Sequence, residues 1–366
     1  MVEGERPARA RESAYMRRAL ALARKGWGQT APNPLVGAVV VRDGQIVGEG
    51  FHARFGEAHA EVVALSEAGD RARGATVYAT LEPCAHTGKT PPCAGALIAA
   101  GVARVVAAAG DPNPVARGGG KRLAEAGIAF EHGLEERAAR ELNAPYFRSF
   151  TSDRPWVTLK LAVSIDGAIA DGRRSPGWLT GESARREVHR MRAGVDAIAV
   201  GIGTVLVDDP MLTVRDARHP RVPPRRVVFD RQARLPLESA LVRSVAAASL
   251  IVIASEPDAA RVAQLAMAGV EVIESRTTDE ALRALAAIGV RSLLVEGGAG
   301  IAGALLGAGL VDRLVIFQAP ILLGSGALHA FSSAPPGSVR DASRLDVLER
   351  RAFGTDIMTV YAISSI

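Results

Sequence analysis

The 366-residue chain is poor in cysteine: it has only two, Cys84 and Cys93. A secreted domain held together by disulfides needs more, and the first residues lack the apolar segment of a secretory signal. We therefore expect a protein of a reducing compartment, the cytoplasm. No stretch approaches the roughly 18 apolar residues of a membrane span, so we expect no membrane partner.

Lysine is scarce as well. The 44 basic residues include only four lysines, Lys25, Lys89, Lys121 and Lys160. Where arginine is the usual cation, a lysine points weakly to a position that needs a compact ammonium group. The formal net charge is +5, but the basic residues are scattered except for a cluster within residues 6–18. We interpret that cluster as a solvated tail rather than a nucleic-acid surface.

The chain is rich in apolar residues, at 48%, and too long for one core, since a single core rarely exceeds roughly 250–300 residues. A polar segment at 151–155 ends in proline and has the composition of a linker. We therefore predict two domains, 10–150 and 154–366. Strands alternate with helices in both, which predicts α/β architecture with sheets covered on both faces.

Hydrophobic periodicity and turn residues give the following elements. In the first half we predict helices at 13–26, 58–69, 92–101 and 135–148, a hairpin at 35–50 that turns at Asp43-Gly44, strands at 75–80 and 103–109, and a helix–strand pair within 118–132. In the second half, with helices between several of them, we predict strands at 156–163, 195–201, 225–230, 249–254, 270–274, 291–296, 312–318 and 356–363.

A zinc site is predicted in the first half. His59 and Glu61 lie two positions apart at the start of a predicted helix, and Cys84 and Cys93 flank the loop before the next helix. One His and two Cys supply three ligands, and a catalytic zinc keeps its fourth position for water, whose pKa it lowers towards ~7. The pattern H-x-E … P-C-x-x-C assigns the carboxylate the proton transfers in nucleobase deaminases. Glu61 is therefore the predicted catalytic residue.

The spacing of the cysteines departs from that pattern, because eight residues rather than two separate them. Cys93 is expected at a helix N-terminus, where the helix dipole favours a thiolate. His86 lies inside the loop. Since a structural zinc site takes four protein ligands, the residue count leaves open a site in which His86 is the fourth.

Four segments together resemble the bifunctional deaminase/reductase family of riboflavin biosynthesis. They are Ala-Pro-Asn-Pro-Leu-Val-Gly at 31–37, Gly-Phe-His at 50–52, the His-Ala-Glu at 59–61, and the loop 83–93. The resemblance covers residues 13–366, and the long cysteine loop is its most specific part. It implies an α/β fold in two parts: an N-terminal cytidine-deaminase-like three-layer α/β/α domain and a dihydrofolate-reductase-like α/β domain.

The resemblance also implies a first reaction: hydrolytic deamination of 2,5-diamino-6-ribosylamino-4(3H)-pyrimidinone 5′-phosphate at the ring carbon that bears the exocyclic amine. Zinc and Glu61 would carry it out. The family positions that line this pocket correspond to Asn33, His52, His86 and Lys89. Judged alone, Asn33 equally suits a turn between two prolines, and the other three suit polar surface positions.

The second half contains a glycine cluster, Glu-Gly-Gly-Ala-Gly at 296–300, between a predicted strand and a helix. Glycines let a phosphate approach the backbone N–H groups of a helix start. The cluster is not the G-x-G-x-x-G pattern of dinucleotide-binding folds. Alone it favours an ordinary tight turn.

Together with segments 159–167, 178–180, 200–205 and 208–215, the cluster resembles the reductase half of the same family. That half uses NADPH to reduce the ribosyl group to a ribityl chain. The resemblance implies NADPH contacts at Lys160, Ala162, Trp178, Thr204, Asp208, Gly298, Ala299, Gly300, Ile301, Ala302, Gly303 and Ala304. It implies substrate contacts at Ser175, Arg192, Leu212, Arg215 and Glu296.

Several of these positions have other interpretations. The two arginines suit a ribose phosphate, which guanidinium binds bidentately, but a single Arg on this chain is more simply a surface cation. Trp178 equally suits a core position. The family has a substrate-contacting Ser where this chain has Pro176, and we expect the neighbouring Ser175 to replace it.

Two other functions stay open at this point. One is a zinc-dependent nucleoside or tRNA base deaminase with an accessory domain, which the net charge favours faintly and the long cysteine loop disfavours. The other is a non-catalytic zinc scaffold. The partners we expect are a phosphorylated pyrimidine, zinc and NADPH, with no nucleic acid, and a homo-oligomer, either a dimer or a tetramer.

Overall fold

The computed structural model describes residues 5–88, 91–175, 177–334, 337–338, 340 and 344–363. The chain folds into two compact units, Met1–Thr151 and Ser152–Ile366. Within the described ranges no helix is both long and apolar enough to cross a membrane.

The first unit contains six α-helices and five strands among its described residues. Its helices are α1 (Glu5–Ala23), α2 (Ala60–Ala68), α3 (Cys93–Ala100), α4 (Gly119–Glu125), α5 (Glu136–Leu142) and α6 (Ala144–Arg148). Its strands are β1 (Gly37–Arg42), β2 (Gln45–Phe51), β3 (Thr76–Ala79), β4 (Arg104–Ala107) and β5 (Ala129–His132). Single turns of 3₁₀ helix lie at Arg24–Gly26 and Gly69–Ala72.

These strands form one mixed sheet in the order β2-β1-β3-β4-β5, parallel from β3 to β5 and antiparallel on either side of β1. Alternate strand residues face opposite layers. Val40 and Val77 pack with α2, α3 and α4, whereas Val39 and Tyr78 pack with α1 and α5. The unit therefore has the predicted three layers, with helices on both faces.

The β1–β2 hairpin has the two-residue turn that the sequence predicts. Asp43 and Gly44 both have positive φ, 50° and 77°, as a type I′ turn requires. Helices α1 and α2 pack very close to this hairpin. A Cβ at Gly37 would lie 2.0 Å from the carbonyl oxygen of Ala19 in α1, and a Cβ at Gly48 would lie 2.2 Å from the carbonyl oxygen of Ala64 in α2.

The second unit has six helices and eleven strands among its described residues. Its helices are α7 (Glu182–Arg192), α8 (Ile202–Asp208), α9 (Ala240–Arg243), α10 (Ala259–Met267), α11 (Thr278–Ala287) and α12 (Ala299–Gly307). Its first six strands are β6 (Trp156–Val163), β7 (Ala168–Ala170), β8 (Ala197–Gly201), β9 (Arg225–Phe229), β10 (Leu250–Ala254) and β11 (Glu271–Glu274). The rest are β12 (Ser292–Glu296), β13 (Arg313–Gln318), β14 (Leu328–His329), β15 (Asp346–Phe353) and β16 (Asp356–Ala362).

Nine of these strands form one sheet in the order β11-β10-β9-β8-β12-β6-β13-β16-β15. The sheet is parallel from β11 to β13, and β16 and β15 add to it antiparallel. One face of the sheet packs on α11 and α12. The other face packs on α8, α9 and α10, and on α7 at β13 and β16. The parallel part is covered on both faces, so its strands are nearly continuous apolar runs.

The predicted elements differ from the structure in three places. Helix α1 begins at Glu5, so part of the predicted solvated tail is helical, and its Arg18 pairs with Glu49. The helix predicted at 135–148 is two helices that meet at Asn143. Strands β7, β14 and β15 have no counterpart among the predictions. Strand β15 is an exposed edge strand whose apolar residues come in pairs rather than at every second position, so it lacks the apolar alternation that marks a strand.

The close contact between α1 and β1 predicts the effect of one methyl group. The variant Gly37→Ala should lower the free energy of unfolding of the first unit by about 1–3 kcal/mol, because its Cβ overlaps the backbone of α1. Calorimetric melting of the full chain measures this.

The matched variant is Gly95→Ala within α3, where the nearest atom to a new Cβ is 3.7 Å away. An alanine inside a helix should be neutral or stabilise by up to about 1 kcal/mol. Equal destabilisation by both variants would contradict the packing described here.

Candidate functional site

The first candidate site lies where two helices of the first unit begin. His59 is the N-cap residue of α2, and Glu61 is in the first turn of that helix. Cys84 lies in the loop after β3, and Cys93 is the first residue of α3. Both cysteines are buried and neither forms a disulfide. The fold thus brings together three predicted metal ligands from separate segments.

The three ligand atoms are close enough for one metal ion. Nδ1 of His59 is 3.2 Å from Sγ of Cys93 and 3.7 Å from Sγ of Cys84. Metal–ligand bonds of ~2.0 Å to nitrogen and ~2.3 Å to sulfur at tetrahedral angles place such atoms roughly 3.5–3.8 Å apart. The donor set therefore fits zinc in chemistry; the distance to Cys84 lies within this range, and the distance to Cys93 is somewhat shorter.

His86 is not part of this cluster. Among the described residues, the group that could hold a metal ion is His59, Cys84 and Cys93. The His86 ring lies beside Gly88, and its buried Nδ1 finds no hydrogen-bond partner in the described ranges. Three protein ligands leave a fourth coordination position for water, so the geometry favours a catalytic over a structural zinc site.

Glu61 is the carboxylate beside the cluster. It is only 3% exposed, and burial raises its pKa above the ordinary value, a change that the charge of His59 partly offsets. A carboxyl group whose pKa moves towards neutrality can both take up and release a proton near pH 7. Its position and environment suit proton transfer.

Contacts between the ligands already favour one thiolate. The hydrogen bond with Cys93 lowers the pKa of Cys84 to about 4, and a hydrogen bond with His59 assists. The same bond to Cys84 raises the pKa of Cys93. In addition, the backbone N–H of Cys93 donates to Sγ of Cys84 at 3.3 Å. In the absence of metal, Cys84 is therefore the cysteine that carries the thiolate.

Asn33 and His52 form a pair beside the ligands. Nδ1 of His52 is 3.2 Å from the carbonyl oxygen of Ala58, so this nitrogen carries the hydrogen. Nε2 then accepts from the side-chain amide of Asn33, 3.3 Å away. Burial lowers the pKa of His52, which agrees with a neutral ring. Both ring nitrogens of His52 therefore form hydrogen bonds. The bond to Nε2 fixes the Asn33 side-chain amide and so sets the position of its carbonyl oxygen. Lys89, predicted nearby, lies outside the described residues.

The second candidate site is a cavity of about 1110 Å³ in the second unit. It lies over the carboxyl ends of the parallel strands, where open α/β sheets bind ligands. Most ligand pockets hold about 300–1000 Å³, so this volume suits a cofactor together with a substrate. The predicted residues of this half all line it except Ala302 and Gly303.

The predicted residues reach the cavity from five helices and strands and from loops. Lys160 and Ala162 lie on β6, Arg192 ends α7, Thr204 and Asp208 lie on α8, and Glu296 ends β12. The N-cap of α12 is Gly298, followed by Ala299, Gly300, Ile301 and Ala304 on that helix. Loops supply Ser175, Trp178, Leu212 and Arg215. Ala302 is fully buried in the core, and a Cβ on Gly303 would lie 2.2 Å from the carbonyl oxygen of Ser333.

Two loop residues that line the cavity, Trp178 and Ser175, also contact residues nearby in the chain. Trp178 is 73% exposed, so it is not a core residue, and the Arg185 guanidinium lies 5.3 Å from its ring centroid. The backbone N–H of Ser175 donates to Asp171, and this bond and the Ser175 hydroxyl lower the pKa of Asp171. Ser175 is therefore hydrogen-bonded to Asp171 within its own turn. Pro176 lies outside the described residues.

A buried charged group forms the floor of the cavity. Arg192 donates to both oxygens of Glu296, with 2.9 Å from Nη2 to Oε2, and also to the carbonyl oxygen of Thr213. Lys160 lies 4.0 Å from Glu296. Burial lowers the pKa of Lys160. Burial alone would raise that of Glu296, but Arg192 outweighs it and the pKa is lowered.

Several cavity residues are absent from the sequence prediction. Arg231, Ser255 and Arg276 directly follow or lie near the ends of β9, β10 and β11, and all three line the cavity. His189 on α7 also lines it and accepts the backbone N–H of Arg215 through Nδ1 at 3.1 Å. Their positions in the sequence could have indicated them, because polar residues recur just after the ends of successive parallel strands.

Both halves of the chain match known protein families. The model of the RibD C-terminal domain matches residues 155–359, more than half of the chain. The model of the cytidine and deoxycytidylate deaminase zinc-binding region matches residues 9–109. The Escherichia coli riboflavin biosynthesis protein RibD is 42% identical over 94% of this chain and 97% of its own length. The chain belongs to the RibD family.

Other relatives agree with this assignment. The RibD protein of Aquifex aeolicus is 42% identical over 85% of this chain and 88% of its own length. The Acinetobacter baumannii RibD structure superposes with a TM-score of 0.84 at 38% identity, covering 97% of this chain and 99% of its own. A Thermotoga maritima deaminase/reductase gives 0.84 at 34% identity, with the same coverage of both chains.

As a RibD family member, the chain is a riboflavin-biosynthesis enzyme with a zinc-binding deaminase domain and an NADPH-dependent reductase domain. The predicted fold of both halves is confirmed. The alternative of a nucleoside or tRNA base deaminase is not favoured, because these relatives match across both domains.

The three-ligand geometry predicts which histidine holds the metal. The variant His86→Ala should keep about one zinc per chain, because His86 lies outside the ligand cluster. The variant His59→Ala should lose most of its zinc, since two ligands bind the ion far less tightly. Elemental analysis after dialysis against a weak chelator measures both. Loss of zinc from the His86 variant would make it a fourth ligand and close the open coordination position.

Proposed function

We propose that the first unit deaminates 2,5-diamino-6-ribosylamino-4(3H)-pyrimidinone 5′-phosphate and that the second unit then reduces the ribosyl group of the product with NADPH. The observation that carries the proposal is the cluster of His59, Cys84 and Cys93 beside the buried Glu61. The reductase cavity in the same chain supports the second step. We assign the two activities to residues 10–150 and 154–366.

In the deaminase site, the chain's own residues bind the metal and move protons. Zinc, when bound, lowers the pKa of water in its open position and so supplies hydroxide at neutral pH. Glu61 would hold the proton released by the water and pass it to the departing amine, which its raised pKa allows. Asn33 orients the pyrimidine through its side-chain oxygen, held by His52.

The rest of the deaminase pocket handles the ribose phosphate. We assign its contact to His86 and Lys89, since a lysine ammonium acts as a compact charge for phosphate. The buried, unpaired Nδ1 of His86 supports this role. Neither residue is needed to hold the metal.

In the reductase cavity, the cofactor and the substrate occupy different parts. NADPH supplies the hydride when bound. The start of α12 at Gly298, which has no side chain to block approach, offers backbone N–H groups to the cofactor phosphates. Thr204, Asp208 and Ala162 line the same part of the cavity, and Trp178 covers its exposed side.

The substrate is placed at the charged floor. Arg192 already donates to Glu296 and Thr213, so its charge is largely used within the protein. Arg215 is exposed and has no acidic partner among the described residues, which makes it the main phosphate contact in our assignment. Lys160, with its lowered pKa, supplies a proton or hydrogen bond to the reacting sugar.

The edge of the cavity at the ends of β10 and β11 suits the adenosine end of the cofactor. The exposed Arg276 guanidinium and the hydroxyl of Ser255 have no hydrogen-bond partner among the described residues, and both line the cavity. An arginine and a hydroxyl match the 2′-phosphate that distinguishes NADPH from NADH.

The cellular setting is part of the proposal. Zinc ligation needs the cysteines as thiolates, and both are free, which supports a cytoplasmic location. A homo-oligomer and a free phosphorylated pyrimidine as substrate complete the assignment. Light scattering of the purified chain tests the oligomer.

The variant Glu61→Gln tests the order of the two steps. Release of ammonia from the diamino substrate should fall at least about 100-fold, because an amide cannot transfer the proton. NADPH oxidation with the diamino substrate should fall equally, whereas the deaminated substrate should restore it.

The control for this test is Glu67→Gln on the same helix, a residue that accepts the backbone N–H of Glu49. It should leave ammonia release within about twofold of the parent. NADPH oxidation by the Glu61 variant on undeaminated substrate, at the parent's rate, would contradict the proposed order.

The variant Arg276→Ala tests the cofactor assignment. The KM for NADPH should rise about tenfold or more, because a charge-assisted hydrogen bond is lost. The KM for NADH, which lacks the 2′-phosphate, should stay nearly unchanged. Initial rates with both cofactors and the deaminated substrate measure this.

Arg283 on α11 supplies the control, because its guanidinium pairs with Asp153 and Asp279. Arg283→Ala should change neither KM. An equal rise for NADPH and NADH in the Arg276 variant would show that this arginine does not read the 2′-phosphate.

A further inference from the structure

The carboxylate of Glu82 connects the loop of Cys84 to a neighbouring segment of the first unit. Its Oε1 accepts the backbone N–H groups of Gly118 at 3.1 Å and Gly120 at 3.0 Å, and its Oε2 accepts that of Asp111 at 3.2 Å. Its own backbone N–H donates to the carbonyl oxygen of Ala109 at 2.8 Å. Both the side chain and the backbone of Glu82 are therefore tied to residues 109–120.

The same segment lies directly against the chain on both sides of Cys84. A Cβ at Gly119 would lie only 1.7 Å from the carbonyl oxygen of Pro83, so no side chain fits there. On the far side, the backbone N–H of Ala85 donates to the carbonyl oxygen of Ala116 at 2.9 Å. The backbone of Cys84 is thus held before and after the ligand.

Cys84 is in turn hydrogen-bonded to the segment that carries the other cysteine. Its carbonyl oxygen accepts the backbone N–H of Ala94 at 3.2 Å, and its Sγ accepts that of Cys93 at 3.3 Å. Zinc ligand distances tolerate deviations of only about 0.2 Å. A shift of the Cys84 loop would therefore disturb the ligand set, even though His59 and Cys93 lie on helices.

We propose that Glu82 is a positioning residue of the zinc site, whose carboxylate holds Cys84 in place through the segment 116–120. Glu82 itself touches neither the metal nor the substrate in this role. A glutamine would put an amide donor against one of the three backbone N–H groups that the carboxylate now accepts. The inference rests on the proposed ligation of zinc by His59, Cys84 and Cys93.

The test is zinc binding to the metal-free full chain, independent of enzyme activity. In Glu82→Gln, the zinc dissociation constant, measured by chelator competition, should rise about tenfold or more, as is typical when partners of metal ligands are lost. The visible absorption of the Co²⁺-loaded variant should shift, because the ligand geometry changes. The melting temperature of the metal-free variant should fall little, so the gain on adding zinc should shrink.

Glu12→Gln is the matched control, because it makes the same chemical change in the same unit. Glu12 contacts Arg104 and Tyr78 rather than the Cys84 loop. Its zinc affinity and Co²⁺ spectrum should equal those of the parent. Parent-like zinc affinity and spectrum in the Glu82 variant would overturn the positioning role.

Two further variants separate the remaining outcomes. Cys84→Ser should abolish tight zinc binding, and unchanged binding there would refute the proposed zinc site itself. Glu82→Asp keeps the charge but shortens the reach, so it should weaken zinc binding to a lesser extent than Glu82→Gln. If both Glu82 variants unfold without metal, the residue serves the fold rather than the zinc site, and the inference fails.

Discussion

The deaminase half depends on two helices whose first residues lie next to each other. Helix α2 starts at His59 and helix α3 starts at Cys93, and the loop after β3 carries Cys84 to the gap between them. His59 is the N-cap residue of α2, and Cys93 is the first residue of α3. Two of the three ligands are therefore placed by helices, and only Cys84 relies on a loop.

That asymmetry explains why so many contacts surround the Cys84 loop. The residues around it are held by the Glu82 carboxylate, by Gly119 against Pro83, and by backbone bonds to Ala116. Burial at this site has a second consequence, since the burial of Glu61 raises the pKa of its carboxyl group. The enclosure that fixes the metal geometry thus also gives the neighbouring carboxyl the protonation behaviour that deamination needs.

The reductase half uses a different constraint. Its seven parallel strands end along one edge of the sheet, and residues that directly follow five of them, β8 to β12, line one cavity. At its floor, Glu296 at the end of β12 is enclosed with Arg192 and Lys160. A buried carboxylate is costly unless it is paired, so this group is fixed in place before any ligand binds. The free cations, such as Arg215, lie around the rim instead.

The sequence alone determined the elements with clear periodicity and predicted a set of zinc ligands. The buried strands of both sheets are continuous apolar runs, the Asp43-Gly44 turn is chemically specific, and the His-x-Glu and cysteine spacing indicate a metal. It missed β15 because the apolar residues of this exposed edge strand come in pairs and so lack the alternation of a half-buried strand. It also could not detect that the helix at 135–148 breaks at Asn143, whose amide bonds the backbone of Leu35 far away in the chain.

Only the tertiary structure decided how these residues divide their work. It left His86 outside the ligand cluster, placed Ala302 in the core rather than in the cofactor cavity, and paired Arg192 with Glu296. It also brought Arg231, Ser255 and Arg276 to one cavity edge from three separate strands. The physical reason is that sequence patterns report local periodicity and residue type, whereas burial, charge pairing and distance arise between segments remote along the chain.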